Sequence, residues 1–132
     1  MTTRKRISGW WLFLAAVIIG VLVVGGTNLV FSLLTGRPFS FASDVDLMVL
    51  VAFPFLILAL LGARQWLPWV VGLVPTVALW GWYLYAGVSY QRNSDGSGAN
   101  IGLGLILLAS PLVISAICVG AFVSQKRAAS GT

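Results

Sequence analysis

The sequence predicts an all-α polytopic membrane protein: four transmembrane helices in an antiparallel bundle, with the N and C termini both cytoplasmic. Three observations lead there. Apolar residues make up 59% of the 132-residue chain and charged residues only 8%, too little polar surface to cover a water-soluble core. The apolar residues fall into four stretches at 10–34, 47–62, 66–87 and 101–123, close to the roughly 20 residues that cross a hydrocarbon layer of about 30 Å. Basic residues gather where these stretches end. Four spans and their loops consume the chain, so residues 1–132 are read as a single membrane domain with short basic tails at 1–9 and 124–132.

The first tail carries Arg4, Lys5 and Arg6 ahead of Trp10 and Trp11. A basic segment before an apolar run also describes a secretory signal, but the run of about 25 residues exceeds the usual 7–15 of such signals, so it is read as an uncleaved span. Ala16 and Gly20 form a small-xxx-small pair that lets another helix approach closely. Asn28 is the only amide in the stretch. It is read as lying near the far interface, bonded to a neighbouring helix or to water, with a place on a substrate path as the sharper alternative.

The loop that follows carries Arg37, Phe39, Phe41, Asp44 and Asp46. Ser43 with Asp46 has capping-box spacing, and two carboxylates suit the positive end of a helix dipole. That explains the acids without a cation site, for which further oxygen ligands are lacking. The second span is short for the bilayer and has Pro54 near its middle. There proline removes a backbone hydrogen bond and kinks the helix, as membrane helices tolerate. A tight turn at Gly62 to Gln65, containing Arg64, implies that spans two and three pack as an antiparallel hairpin.

Span three has an interior proline, Pro75, and repeats the small-residue spacing at Gly72 and Thr76. Trp66 and Trp69 at one end, with Trp80, Trp82, Tyr83, Tyr85 and Tyr90 at the other, read as two interfacial aromatic belts. A stacking box for a pigment, quinone or aromatic drug is the functional alternative. In the polar loop, Asn93, Asp95 and Ser97 have the alternation of a calcium loop, but the closing carboxylate is replaced by Gly104. In span four Gly102, Ala109, Ala116 and Gly120 form a seam for close helix packing, and Pro111 is a third kink. Ala52, Pro54 and Ile57 match Ala109, Pro111 and Ile114 in spacing, so a duplicated hairpin with a two-fold axis along the membrane normal is a possible repeat.

Six of the eight basic residues fall on one side: Arg4, Lys5, Arg6, Arg64, Lys126 and Arg127. Arg37, Arg92 and all three acids fall on the other. The positive-inside rule therefore places both termini in the cytoplasm, and the six serve as topology signals and headgroup contacts. Clustering at helix ends, rather than along one exposed face, argues against nucleic acid as the partner of this chain of net charge +5. The chain has no histidine, and its one cysteine, Cys118, sits in an apolar run. No catalytic, cofactor-binding or metal-binding set can be assembled, and the hydroxyls of Ser110 and Ser115 are assigned to backbone or interhelical hydrogen bonds.

Two function classes remain. The first is a structural or accessory subunit packing against larger membrane partners or lipids, with no enzymatic activity and no cofactor. The second is a small oligomeric transporter or channel. Proton- or cation-coupled transport calls for an ionisable group inside a span, and none is present, which favours the first. Short loops and the tri-basic start suggest a bacterial cytoplasmic (inner) membrane, multi-pass, with lipids, other membrane proteins or further copies of the chain as partners.

Overall fold

A computed structural model describes residues 9–40, 42–93 and 101–131. They form four helices: α1 (Trp10–Thr35), α2 (Val45–Leu60), α3 (Trp66–Asn93) and α4 (Ile101–Ser130), with one 3-10 turn at Ala42–Asp44 before α2. In α1, α3 and α4 the apolar stretches are long enough to cross a membrane, and α2 is a shorter apolar helix. With its length and hydropathy, the chain is a multi-span helical membrane protein.

The 16 residues of α2 reach about 24 Å at 1.5 Å each, against about 30 Å of hydrocarbon. The 28 residues of α3 and 30 of α4 reach about 42 and 45 Å, longer than the hydrocarbon layer. They outrun the apolar stretches because Gln, Lys, Arg and Ala are good helix formers, and the helix continues through Gln91 and Arg92 and through Lys126 and Arg127. Helix α2 starts at Val45, two residues before the apolar stretch. Asp44 stands at its N-cap without a side-chain cap bond, because its carboxylate is engaged by α1. The Ser43 side chain lies outside the described residues.

Glycine sets two helix ends. Gly36 closes α1 at φ 69°, donating its N–H to the Ser32 carbonyl at 2.8 Å. Gly62 (φ 67°) ends α2: its N–H bonds the Ala59 carbonyl at 3.0 Å, and the Ala63 N–H bonds the Leu58 carbonyl at 3.0 Å. This is the paired closure of a Schellman motif, which needs a left-handed residue between helix and exit. The Trp69 indole then donates to the Ala63 carbonyl at 2.9 Å and clamps the turn to α3.

The packing order around the bundle is α1, α2, α4, α3 and back to α1. The tight turn does not make a hairpin: α2 and α3 meet mainly at corners across the bundle, each packing more on α4 and α1. Small side chains decide this. A Cβ on Gly20 would lie 2.5 Å from the Met48 carbonyl oxygen and 3.0 Å from the Ala52 Cβ, so the α1 and α2 backbones lie nearly in contact. Ala16, Gly20 and Val24, four apart, bury one face of α1. A Cβ on Gly72 would overlap the Cys118 sulfur and come within 3.3 Å of Phe55, drawing α3 to α4. The expected repeat does not match this order. A two-fold along the bundle axis would set α1 opposite α3 and α2 opposite α4, and both pairs are instead adjacent.

Two apolar layers fill the interior. One joins Ala16, Phe55, Leu58, Ile114 and Cys118 near the turn; the other joins Val24, Met48, Val51, Trp80 and Leu107. Trp80, expected in an interfacial belt, is 3% exposed and packs edge-on to Tyr83 at 5.4 Å. Its ring packs with Val24 of α1, Met48 and Val51 of α2 and Leu107 of α4. Trp66, Trp82, Tyr85 and Tyr90 are exposed.

Two outcomes follow. Gly20→Leu should lower thermal stability in detergent, since overpacking costs about 1–3 kcal/mol, whereas Gly26→Leu, whose added Cβ meets nothing within 4 Å, should leave it unchanged or raised. Cys118, with 0% exposure, should resist N-ethylmaleimide in nanodiscs and react on unfolding. Mass spectrometry of the labelled chain reads both states.

Candidate functional site

The three interior prolines fall in α2, α3 and α4 without ending any of them. Pro54 and Pro111 line the same small gap, together with Thr76, the neighbour of Pro75, so the kinks share one level of the bundle. Pro111 cannot donate to the carbonyl of Leu107 four residues back. The Ser110 hydroxyl donates to that carbonyl instead, at 2.7 Å, as hydroxyls do when they repair a proline break in lipid. Ser115 donates to the Pro111 carbonyl at 2.5 Å and Thr76 to the Gly72 carbonyl at 2.7 Å. All three hydroxyls are taken up by helix backbone.

Away from the Gly62 turn the helices separate, and the end of α1, the start of α2, the end of α3 and the start of α4 enclose a cavity of about 600 Å³. The volume lies within the range of roughly 300–1,000 Å³ common for small-molecule sites. The walls are mostly apolar, from Phe31, Leu47, Leu50, Leu107 and Leu108, with Gly87 and Gly104 as gaps where side chains would otherwise stand. Thr27, Asn28, Tyr83 and Tyr90 supply the polar groups. The Thr27 hydroxyl is bonded to the Val23 carbonyl at 2.7 Å.

Polar ties brace this end. Asn28 donates from its amide nitrogen to Asp44 at 2.5 Å, joining α1 to the start of α2. Arg37 reaches the last turn of α3, where the Gln91 amide, presenting its oxygen, accepts from the guanidinium at 2.7–3.2 Å. Ser32 donates to the Arg37 carbonyl. The Asn28–Asp44 pair takes the acid out of the capping role expected for it: Asn28 lies two turns before the end of α1, and Asp44 stands at the N-cap of α2. Tyr83, Gly87 and Tyr90, spaced four and three apart, mark one helix face that belt counting obscured.

Among the expected packing residues, Ala16 and Gly20 are buried against α2, Gly72 against Cys118 and Phe55, and Thr76 beside the gap lined by Pro54 and Pro111. Gly102, Ala109, Ala116 and Gly120 are exposed. They lie on the side of α4 opposite Leu107, Pro111, Ile114 and Cys118, and packing among the described residues leaves them uncovered. Arg64, Lys126 and Arg127 are exposed. Arg4, Lys5 and Arg6 lie outside the described residues, as do Asp95, Ser97 and the Asn93 side chain, so the calcium-like spacing has no structural counterpart to describe. Among the described residues no three His, Cys, Asp or Glu side chains cluster.

Comparisons with protein-family models, curated proteins and solved structures return no match. Function is therefore argued from the two surfaces just described, the cavity and the outer face of α4.

Asn28→Leu should destabilise the fold by about 1–3 kcal/mol, the cost of leaving a charged acceptor without its hydrogen bond. Asp44→Asn, which keeps an accepting oxygen, should cost less. Thermal unfolding of the two variants in one detergent compares them.

Proposed function

We propose that the chain is a non-catalytic accessory subunit of a bacterial cytoplasmic membrane, with both termini in the cytoplasm, that packs a larger membrane protein against the outer face of α4. The observation that supports this reading most is the placement of Gly102, Ala109, Ala116 and Gly120. They repeat at seven, seven and four residues along one side of α4, and that side is exposed. In lipid no hydrophobic force joins helices, so association depends on close backbone contact and the dispersion it allows. The same device is used inside the chain at Gly20 and Gly72, where a neighbouring helix is already seated. On α4 the seat is open.

The polar inventory favours the same class. The membrane-level hydroxyls of Thr76, Ser110 and Ser115 are bonded to backbone, and among the described residues the ionisable side chains other than Cys118 and the tyrosines stand in the terminal turns of helices or between helices. An ion-coupled transporter needs an ionisable group in the membrane.

Extraction of the tagged chain from its host membrane into lipid nanodiscs, with the intact particle weighed, tests the proposal. A stoichiometric complex with a larger membrane protein is expected. Ala109→Leu combined with Ala116→Leu should abolish it, while Val74→Leu, at an exposed site on α3, should not. A closed homo-oligomer carrying nothing else would overturn the accessory reading in favour of a transporter or channel.

A further inference from the structure

We infer that the cavity between the four helix ends is a binding site for one phospholipid whose headgroup carries both charges, a phosphate and a primary ammonium, as in phosphatidylethanolamine. The inference is independent of the α4 outer face. A void of about 600 Å³ with apolar walls, opening within a bilayer, is filled by hydrocarbon rather than water, which needs polar partners to stay. An acyl chain satisfies Phe31, Leu47, Leu50 and Leu107. What distinguishes one lipid from another is the rim.

One charge of each sign stands one contact from the lining. Asp44, at the positive end of the α2 dipole, is held by the lining residue Asn28. Asp44 accepts from Asn28 through one carboxylate oxygen, and the other has no partner among the described residues, leaving an acceptor for an ammonium group. On the α3 side stands Arg37, held at Gln91 next to the lining residue Tyr90. Its guanidinium group suits a phosphate. The hydroxyls of Tyr83 and Tyr90 have no partner among the described residues and are donors for the phosphate or ester oxygens below it. An anionic lipid without the amine would leave Asp44 without a counter-charge, and an uncharged amphiphile would use neither Asp44 nor Arg37.

The test uses the full chain reconstituted in vesicles of equal phosphatidylethanolamine and phosphatidylglycerol with identical acyl chains, released and analysed by native mass spectrometry. One phosphatidylethanolamine per chain should survive release, favoured about tenfold over phosphatidylglycerol. Gly104→Phe puts a ring into the cavity from a position where an added Cβ meets nothing within 4 Å, and should remove the bound lipid. Protection of Cys118 from N-ethylmaleimide verifies that this variant is folded, and Ala86→Phe blocks the same cavity from α3. Asp44→Asn should keep a bound lipid and lose the preference. Equal retention of both lipids, retention of neither, undiminished binding in folded Gly104→Phe and Ala86→Phe, or displacement by an uncharged isoprenoid quinone would each overturn the assignment.

Discussion

The bundle depends on how closely the α1 and α2 backbones approach at Gly20. Lipid tails solvate leucine as well as another leucine does, so nothing in the membrane presses helices together, and attraction has to come from atoms in contact. At Gly20 the Met48 carbonyl and Ala52 methyl occupy the space that any side chain would need. With α2 seated there, Met48, Val51, Phe55 and Leu58 are carried inward to form both core layers. Phe55 then reaches Gly72, stacks on Trp69 at 5.9 Å and helps fix α3 beside the turn. The cavity at the other end arises from the same arrangement.

Polar bonding follows a division of labour along the bundle axis. At membrane depth, hydroxyls serve the helix that carries them, and Ser110 repairs the gap left by Pro111. At the ends, side chains cross between elements: Asn28 to Asp44, Arg37 to Gln91, and the Trp69 indole to Ala63. Water is present at the ends to take over a broken bond and absent at the middle, so interhelical polar ties are placed where they are cheap to lose.

Helix number, approximate boundaries and the short α2 were legible in the sequence because length and the absence of charge are one-dimensional properties. The inward faces were less so. A soluble helix betrays its buried face by polar residues opposite, but these helices are apolar all round, and only small residues mark a contact. That marker is ambiguous: the Ala16–Gly20 and Gly72–Thr76 pairs lie inside the chain, whereas the longer series from Gly102 to Gly120 faces outward. Trp80 could not be told from Trp82 by composition, since burial depends on which neighbour leaves a ring-sized space. The cavity was invisible for a related reason. It is bounded by four segments far apart in sequence, and its position depends on the packing order, which no local pattern encodes.

That order has a consequence during synthesis. A chain made from its N-terminus completes α1 and α2 first, and these two make the most extensive pair in the molecule. When α3 emerges it settles against α1, across the bundle from α2, and the side of α2 that will meet α4 stays bare. Only the last helix closes the circuit, touching both α2 and α3. A nascent chain stalled before residue 101 would thus lack the helix that covers this side of α2. The protein passes through a stage in which its own interior is its stickiest surface, and α4 ends that stage.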